Sequence, residues 1–275
     1  MSKSRTIQPK QPLPDTDPRK RTKNLCPYRK KRIDICHLLC YNGDDPSVEK
    51  FEKEDILMEL TGKKAVFLGD SITQGVGVSE EKNIYLNRLA QMAGLREAKN
   101  YGISGTRIAR QSAVSANATF DLDYCARVEE LDGDADIVVV FGGTNDFGHG
   151  DAPLGTPADR TPATYWGACH YLMNRLVERF YDKTIVIMTP LHRLTEDNPC
   201  GDNKPEPVAT LKEYVDILRT VAEWYSLPVL DLFAESGIQP RVPVIQQTYC
   251  PDGLHPNDAG HEKMATMLYH YLLKL

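Results

Sequence analysis

Four short stretches of this chain carry groups suited to moving an acyl group. Gly69-Asp70-Ser71-Ile72-Thr73 offers a hydroxyl, and Tyr101-Gly102-Ile103-Ser104-Gly105-Thr106 offers backbone N–H groups beside glycines. Gly142-Gly143-Thr144-Asn145-Asp146 offers a carboxamide, and Asp252-Gly253-Leu254-His255-Pro256 offers a carboxylate and an imidazole three residues apart. Acyl transfer needs these parts: a nucleophile, an oxyanion hole, a base, and a group that orients the base. A single turn can bring Asp252 and His255 together, and Pro256 biases His255 away from helical backbone, keeping it on a loop. Each piece alone also has a structural use. Ser71 can cap a helix, Gly105 and Asn145 suit turns, and the Asp252–His255 loop can cap the last helix. Their conjunction, in this chain order, favours chemistry.

The elements between these stretches alternate between strand and helix. Lys64–Gly69, Ala98–Tyr101, Asp136–Phe141, Thr184–Thr189 and Pro228–Asp231 read as short strands, Asp136–Phe141 being apolar on both faces. Asn83–Ala93, Pro162–Tyr181, Val208–Tyr225 and Asp258–Leu273 read as helices. A further helix is expected from Pro46 to about Leu60, capped by Asp45 and ended at Gly62. Such alternation implies a parallel sheet covered on both faces, with its site at the carboxyl ends of the strands. Each of the first three chemical stretches follows a predicted strand, and the fourth precedes the closing helix. The loops at 148–162 and 190–207 are long and rich in Pro and Gly, which suits the walls of a pocket.

GDSI, GISGT, GGTND and DGLH resemble the four blocks of the SGNH hydrolases, also called GDSL-type lipases and esterases. The resemblance covers residues 63–275. The Ser stands in G-D-S rather than in a G-x-S-x-G elbow, and no such elbow occurs in the chain. The resemblance implies a flavodoxin-like three-layer α/β/α sandwich and a serine esterase that forms an acyl-enzyme. It implies Ser71 as nucleophile, His255 as general base and Asp252 as the residue orienting His255. It implies an oxyanion hole of the Ser71 and Gly105 N–H groups and the Asn145 side chain. Gly105 is preferred to Gly102 because it follows a Ser. No cofactor and no metal are implied. His149 and His192, on the loops after the third and fourth strands, are candidates for lining the substrate cleft. His170, His261 and His270 fall on helices and read as packing or surface residues, and Cys125 and Cys169 read as small buried hydrophobes.

Charge divides the chain. Residues 1–40 hold 11 Lys and Arg against 3 Asp and Glu, whereas residues 41–275 hold 22 against 35. The modest overall charge of -5 therefore joins a basic arm to an acidic body. We place the arm at 1–44, partly disordered, and the hydrolase domain at 45–275. Cys26, Cys36, His37 and Cys40 lack the close Cys pair usual in zinc sites, and a hydrophobic flap over 33–41 is the preferred reading. The basic run Arg29–Arg32 has only Tyr28 and Tyr41 near it for stacking, so a nucleic-acid partner is not expected. Seven cysteines suit no disulfide framework, no secretory leader is visible, and no apolar stretch is long enough to span a bilayer. A cytoplasmic protein is the expectation. The expected substrate is a small-molecule or carbohydrate ester, small or hydrophilic given the polar loops, with neutral esters slightly favoured by the acidic body. A carbohydrate O-acetyl esterase and a catalytically silent binding module with a basic tether are the alternatives.

Overall fold

Alternation of side chains along the strands decides the architecture. In β1 (Lys64–Gly69), every residue is buried. Ala65 and Phe67 point into one apolar core, Val66 and Leu68 into another. The structure, a computed structural model, describes residues 58–197 and 208–275. After β1 come α1 (Ser71–Gln74), α2 (Tyr85–Ala93), β2 (Glu97–Gly102) and α3 (Tyr124–Arg127). They are followed by β3 (Ile137–Phe141), α4 (Thr144–Gly148), α5 (Tyr165–Phe180) and β4 (Thr184–Met188). The chain ends with α6 (Leu211–Trp224), β5 (Val229–Leu230), α7 (Leu232–Glu235), α8 (Pro243–Tyr249) and α9 (Asp258–Leu272).

Among the described residues the sheet is parallel throughout, in the order β2-β1-β3-β4-β5. One core packs α3, α5 and α6 on the face of Val66, Leu68, Val138, Val140 and Ile187. The other packs α2 and α9 on the face of Phe67, Val139, Phe141, Val186 and Met188. This is the expected three-layer α/β/α sandwich of flavodoxin-like strand order. The chain leaves β1 towards β2 on one side and β3 lies on the other, so the order reverses beside β1. In open parallel sheets ligands bind at such a reversal, beyond the carboxyl ends of the strands.

β1 recurs with its predicted bounds and β2 is one residue longer at each end, whereas the helices recur with shorter ends, and local chemistry explains the trimming of two of them. α5 starts at Tyr165, not Pro162, because the Thr164 side chain accepts from Gly167 N and caps the helix there. α6 starts at Leu211, not Val208, because Thr210 and Glu213 form a reciprocal capping box. Of the helix expected up to Leu60, residues 46–57 lie outside the described residues, as do the 44/45 boundary and the basic arm. Residues 58–60 are not helical: Met58 N donates to Leu273 O at 3.0 Å and Leu60 packs into the α2–α9 core. Gly62 takes a left-handed φ of 75° in the turn that leads into β1, rather than ending a helix directly before it. The short helices α3, α7 and α8 had no period long enough to be read.

Candidate functional site

Ser71 is the first residue of α1, directly beyond the end of β1. Asp70 makes the sharp exit from the strand, its Oδ1 accepting from Ile72 N at 3.0 Å to cap α1. Ser71 is only 7% exposed. Its Oγ lies 3.0 Å from Nε2 of His255, 184 residues further along the chain. Nδ1 of His255 lies 2.7 Å from Asp252 Oδ2. The other Asp252 oxygen accepts from the N–H groups of Leu254, at 2.8 Å, and His255, at 2.7 Å. Burial alone would raise the Asp252 carboxyl. The hydrogen bonds from His255 and Leu254 outweigh it and hold Asp252 below its ordinary range. A carboxylate kept ionised against Nδ1 fixes the imidazole with Nε2 turned to the serine. Gly253, at a φ of 79°, makes the tight turn that allows this.

Asn145 sits in the first turn of α4, beyond the end of β3. Its Nδ2 donates to Thr106 O at 3.0 Å, which sets the direction of the amide and leaves its second hydrogen for a ligand. The same contact joins the third chemical stretch to the second. Asp146 strengthens the joint by accepting from Ile108 N, at 2.9 Å, and Ala109 N, at 2.8 Å. Arg127 of α3 reaches Gly69 O at 3.2 Å, Thr106 Oγ1 at 2.9 Å and Tyr101 O, tying together the exits of β1 and β2. The two candidate glycines differ in kind. A Cβ on Gly102 would collide with the backbone of Thr73 and Gln74 in α1, so its role is close packing. Gly105 has a φ of 76° and lies against the ring of Phe120, and its N–H makes no hydrogen bond among the described residues.

The remaining two candidates lie just after α4 and β4. His149 Nδ1 meets the Arg107 guanidinium at 2.5 Å, and its ring tilts against Phe120 with centroids 5.6 Å apart. His192 Nδ1 meets Glu196 Oε2 at 2.7 Å, and its ring lies on Phe233 at 3.8 Å. Neither joins the Ser71–His255–Asp252 chain. His170 and His261 are buried on α5 and α9, and His270 is exposed on α9. His261 Nδ1 accepts from Tyr85 N at 3.1 Å, and burial pushes its pKa down to about 4. Cys125 and Cys169 are buried with thiols pushed well up by burial, so they pack rather than react. Cys26, Cys36, His37 and Cys40 lie outside the described residues. Sequence reasoning missed Arg127 and Arg193, whose partners are distant in the chain, and Glu196, which joins the nearby His192 and Arg193 to the distant Gln239. Asp70 and Asp146 were in view inside their motifs, but nothing in the motifs disclosed their contacts.

Residues 67–263 match the sequence profile of the GDSL-like lipase/acylhydrolase family. One solved structure is 31% identical, covering 78% of this chain and 98% of its own, with a TM-score of 0.68. A Lactobacillus plantarum protein is 28% identical over 77% of this chain and 97% of its own, with a TM-score of 0.66. A possible lipase from Chitinophaga pinensis is 21% identical over 76% and 96%, at a TM-score of 0.54, and speaks for the fold alone. No curated protein matches the chain. No helix among the described residues is long and apolar enough to cross a membrane.

Proposed function

Because the chain belongs to the GDSL-like lipase/acylhydrolase family of SGNH hydrolases, and is thus an ester-hydrolysing enzyme, we propose that it cleaves small carboxylic esters through an acyl-enzyme on Ser71. The silent-module alternative falls with the family assignment. The observation that carries the reading is the unbroken relay from Ser71 Oγ through His255 to Asp252, at 3.0 and 2.7 Å.

In this reading Ser71 Oγ attacks the ester carbonyl while His255 Nε2 takes its proton. The negative charge formed on the carbonyl oxygen is met by the N–H groups of Ser71 and Gly105 and by the Asn145 amide. Donors of this kind, held in place beforehand, are each worth about 100- to 1,000-fold in turnover. Asp252 stabilises the imidazolium without taking its proton. His255 then protonates the leaving alcohol as the C–O bond breaks. A water, deprotonated by the same nitrogen, attacks the acyl-Ser71 ester, and the proton returns to Ser71 Oγ as the acid leaves. No residue outside this set is required to move a proton.

The Phe120 ring, lying against Gly105 and backed by His149, supports a short acyl group. In this reading the ring closes off the side of Gly105 on which it lies to a long acyl chain. The test is a series of 4-nitrophenyl esters from acetate to decanoate, with acetylated xylose alongside. We expect kcat/KM to be highest at two to four carbons and to fall beyond. A maximum at eight or more carbons would overturn the short-acyl assignment. Turnover of acetylated sugar far above that of nitrophenyl acetate would select the carbohydrate O-acetyl esterase reading.

A further inference from the structure

Arg193 is a cation placed beside the proposed catalytic groups, and among the described residues no carboxylate pairs with it. Its Nη1 donates to Thr144 O at 3.2 Å and to Thr144 Oγ1 at 3.3 Å, one residue before Asn145. The guanidinium lies over the Phe147 ring, 5.3 Å from its centroid. Gly148 lets it in: a Cβ there would stand 2.7 Å from Nη1. Nε is buried with no hydrogen-bond partner among the described residues. Arg107 and Arg219 also hold a buried Nε without a partner among the described residues, but their guanidiniums face carboxylates, Arg107 Nη1 lying 3.7 Å from Asp121 Oδ1. Arg219 pairs with Asp231 at 2.7 Å, and Arg127 spends its donors on Gly69, Tyr101 and Thr106. For Arg193 the acting carboxylates, Asp70 and Asp252, exert only longer-range attraction, and each is committed elsewhere.

The stretch 191–196 around Arg193 is tied down at several points. Glu196 is buried, and its Oε2 accepts from Arg193 N at 3.3 Å and meets His192 Nδ1 at 2.7 Å. Its Oε1 accepts from Gln239 Nε2 at 3.2 Å. Leu194 N donates to Gly253 O at 2.8 Å, inside the loop that holds Asp252 and His255. Arg193 is thus held between the Asn145 turn and the His255 loop. A guanidinium presents five donors in a fixed fork suited to a carboxylate, and leaving donors buried and unused is costly.

We infer that Arg193 binds a carboxylate on the alcohol portion of the substrate ester, making anionic esters the preferred substrates. The inference rests on the proposed roles of Ser71 and His255. The alcohol leaves with the proton of His255, so its half of the substrate lies towards the His255 loop, where Leu194 anchors this arginine. The acidic body disfavours anions at long range, but one enclosed guanidinium acts at contact distance, where solvent screening is weakest.

The experiment compares 4-acetoxybenzoate with 4-acetoxybenzamide, which differ in one charge at nearly constant shape. Wild type is expected to favour the carboxylate by about 10-fold or more in kcat/KM, mainly through KM. Arg193→Met should bring the ratio to about one, and Arg193→Lys should restore part of it. A wild-type ratio of one or below overturns the inference, as does an Arg193→Met variant that slows both esters equally. Should Arg193→Met fail to fold, inhibition of the wild type decides. Free 4-hydroxybenzoate should compete, 4-hydroxybenzamide should not, and added salt should weaken the competition; equal inhibition overturns the assignment. A charge preference found only between mono-4-nitrophenyl succinate and 4-nitrophenyl butyrate would place the carboxylate on the acyl side and overturn the alcohol placement. Turnover of neutral esters without preference fails this inference alone, whereas turnover of no ester at all fails the Ser71 reading beneath it.

Discussion

Asp70 stands between the end of β1 and Ser71, and its two oxygens live in different surroundings. Oδ1 caps α1 by accepting from Ile72 N, while Oδ2 is buried without a hydrogen-bond partner among the described residues. Burial raises its pKa to about 7, the nearby Asp146 adds to the rise, and the Ile72 N–H and Arg127 oppose it. The folded chain therefore holds this proton more tightly than the unfolded chain does. Its stabilising effect is full below the unfolded value of 3.8 and is lost as pH climbs towards about 7. Asp70→Asn keeps a side-chain oxygen for the cap and removes the titration. Its Tm should exceed that of wild type at pH 8, with the gap closing towards pH 4. A gap of the same size at both pH values, measured by thermal scans, would contradict this account. At this scale the sequence was readable where chemistry restricts residue type. A serine, a histidine–aspartate pair and a carboxamide stand out in their motifs. Arg127 and Arg193 do not, because they serve carbonyls and side chains that only the fold brings near.

The elements locate these residues by close packing. β2 and α1 approach so tightly that Gly102 has no room for a side chain, the obstacle being the backbone of Thr73 and Gln74. Backbone cannot rotate aside as a side-chain end can. Gly102→Ala should cost on the order of 1–3 kcal/mol in urea unfolding, the usual price of overpacking. Because α1 carries Ser71, whatever folds should also lose turnover. An alanine variant with unchanged stability and rate would show that the α1–β2 contact does not position the serine. Strands and long helices were legible from their apolar periods. The helix ends were trimmed by caps at Thr164 and Thr210, where a local hydrogen bond outweighed the apolar pattern that continued outside it. α3 and α8 are one to two turns long, too short to show a period.

Across the whole molecule, charge and chemistry keep to different parts of the chain. Every candidate site residue lies between Ser71 and His255, in the acidic portion, and the family profile spans 67–263. The strands that hold those residues run from Lys64 to Leu230, and Met58 is already hydrogen-bonded to Leu273. A chain beginning at residue 45 should therefore fold and hydrolyse nitrophenyl acetate within about twofold of the full-length rate. A truncated chain that folds but has lost most of its turnover would give residues 1–44 a part in the site. The net charge of -5 describes neither portion of the chain; the acidic body favours neutral esters slightly, and the carboxylate site proposed at Arg193 runs against that expectation. Long-range charge could be counted from composition, whereas one enclosed guanidinium facing a catalytic loop could not.

Ser71 as nucleophile is the claim on which the rest depends, and covalent labelling tests it most directly. A fluorophosphonate probe is incubated with the protein, and the modified peptide is mapped by mass spectrometry. The account predicts one adduct, on Ser71, formed in step with loss of ester turnover and absent from both Ser71→Ala and His255→Ala. Labelling at another residue, or Ser71→Ala that still hydrolyses esters at the wild-type rate, would contradict it.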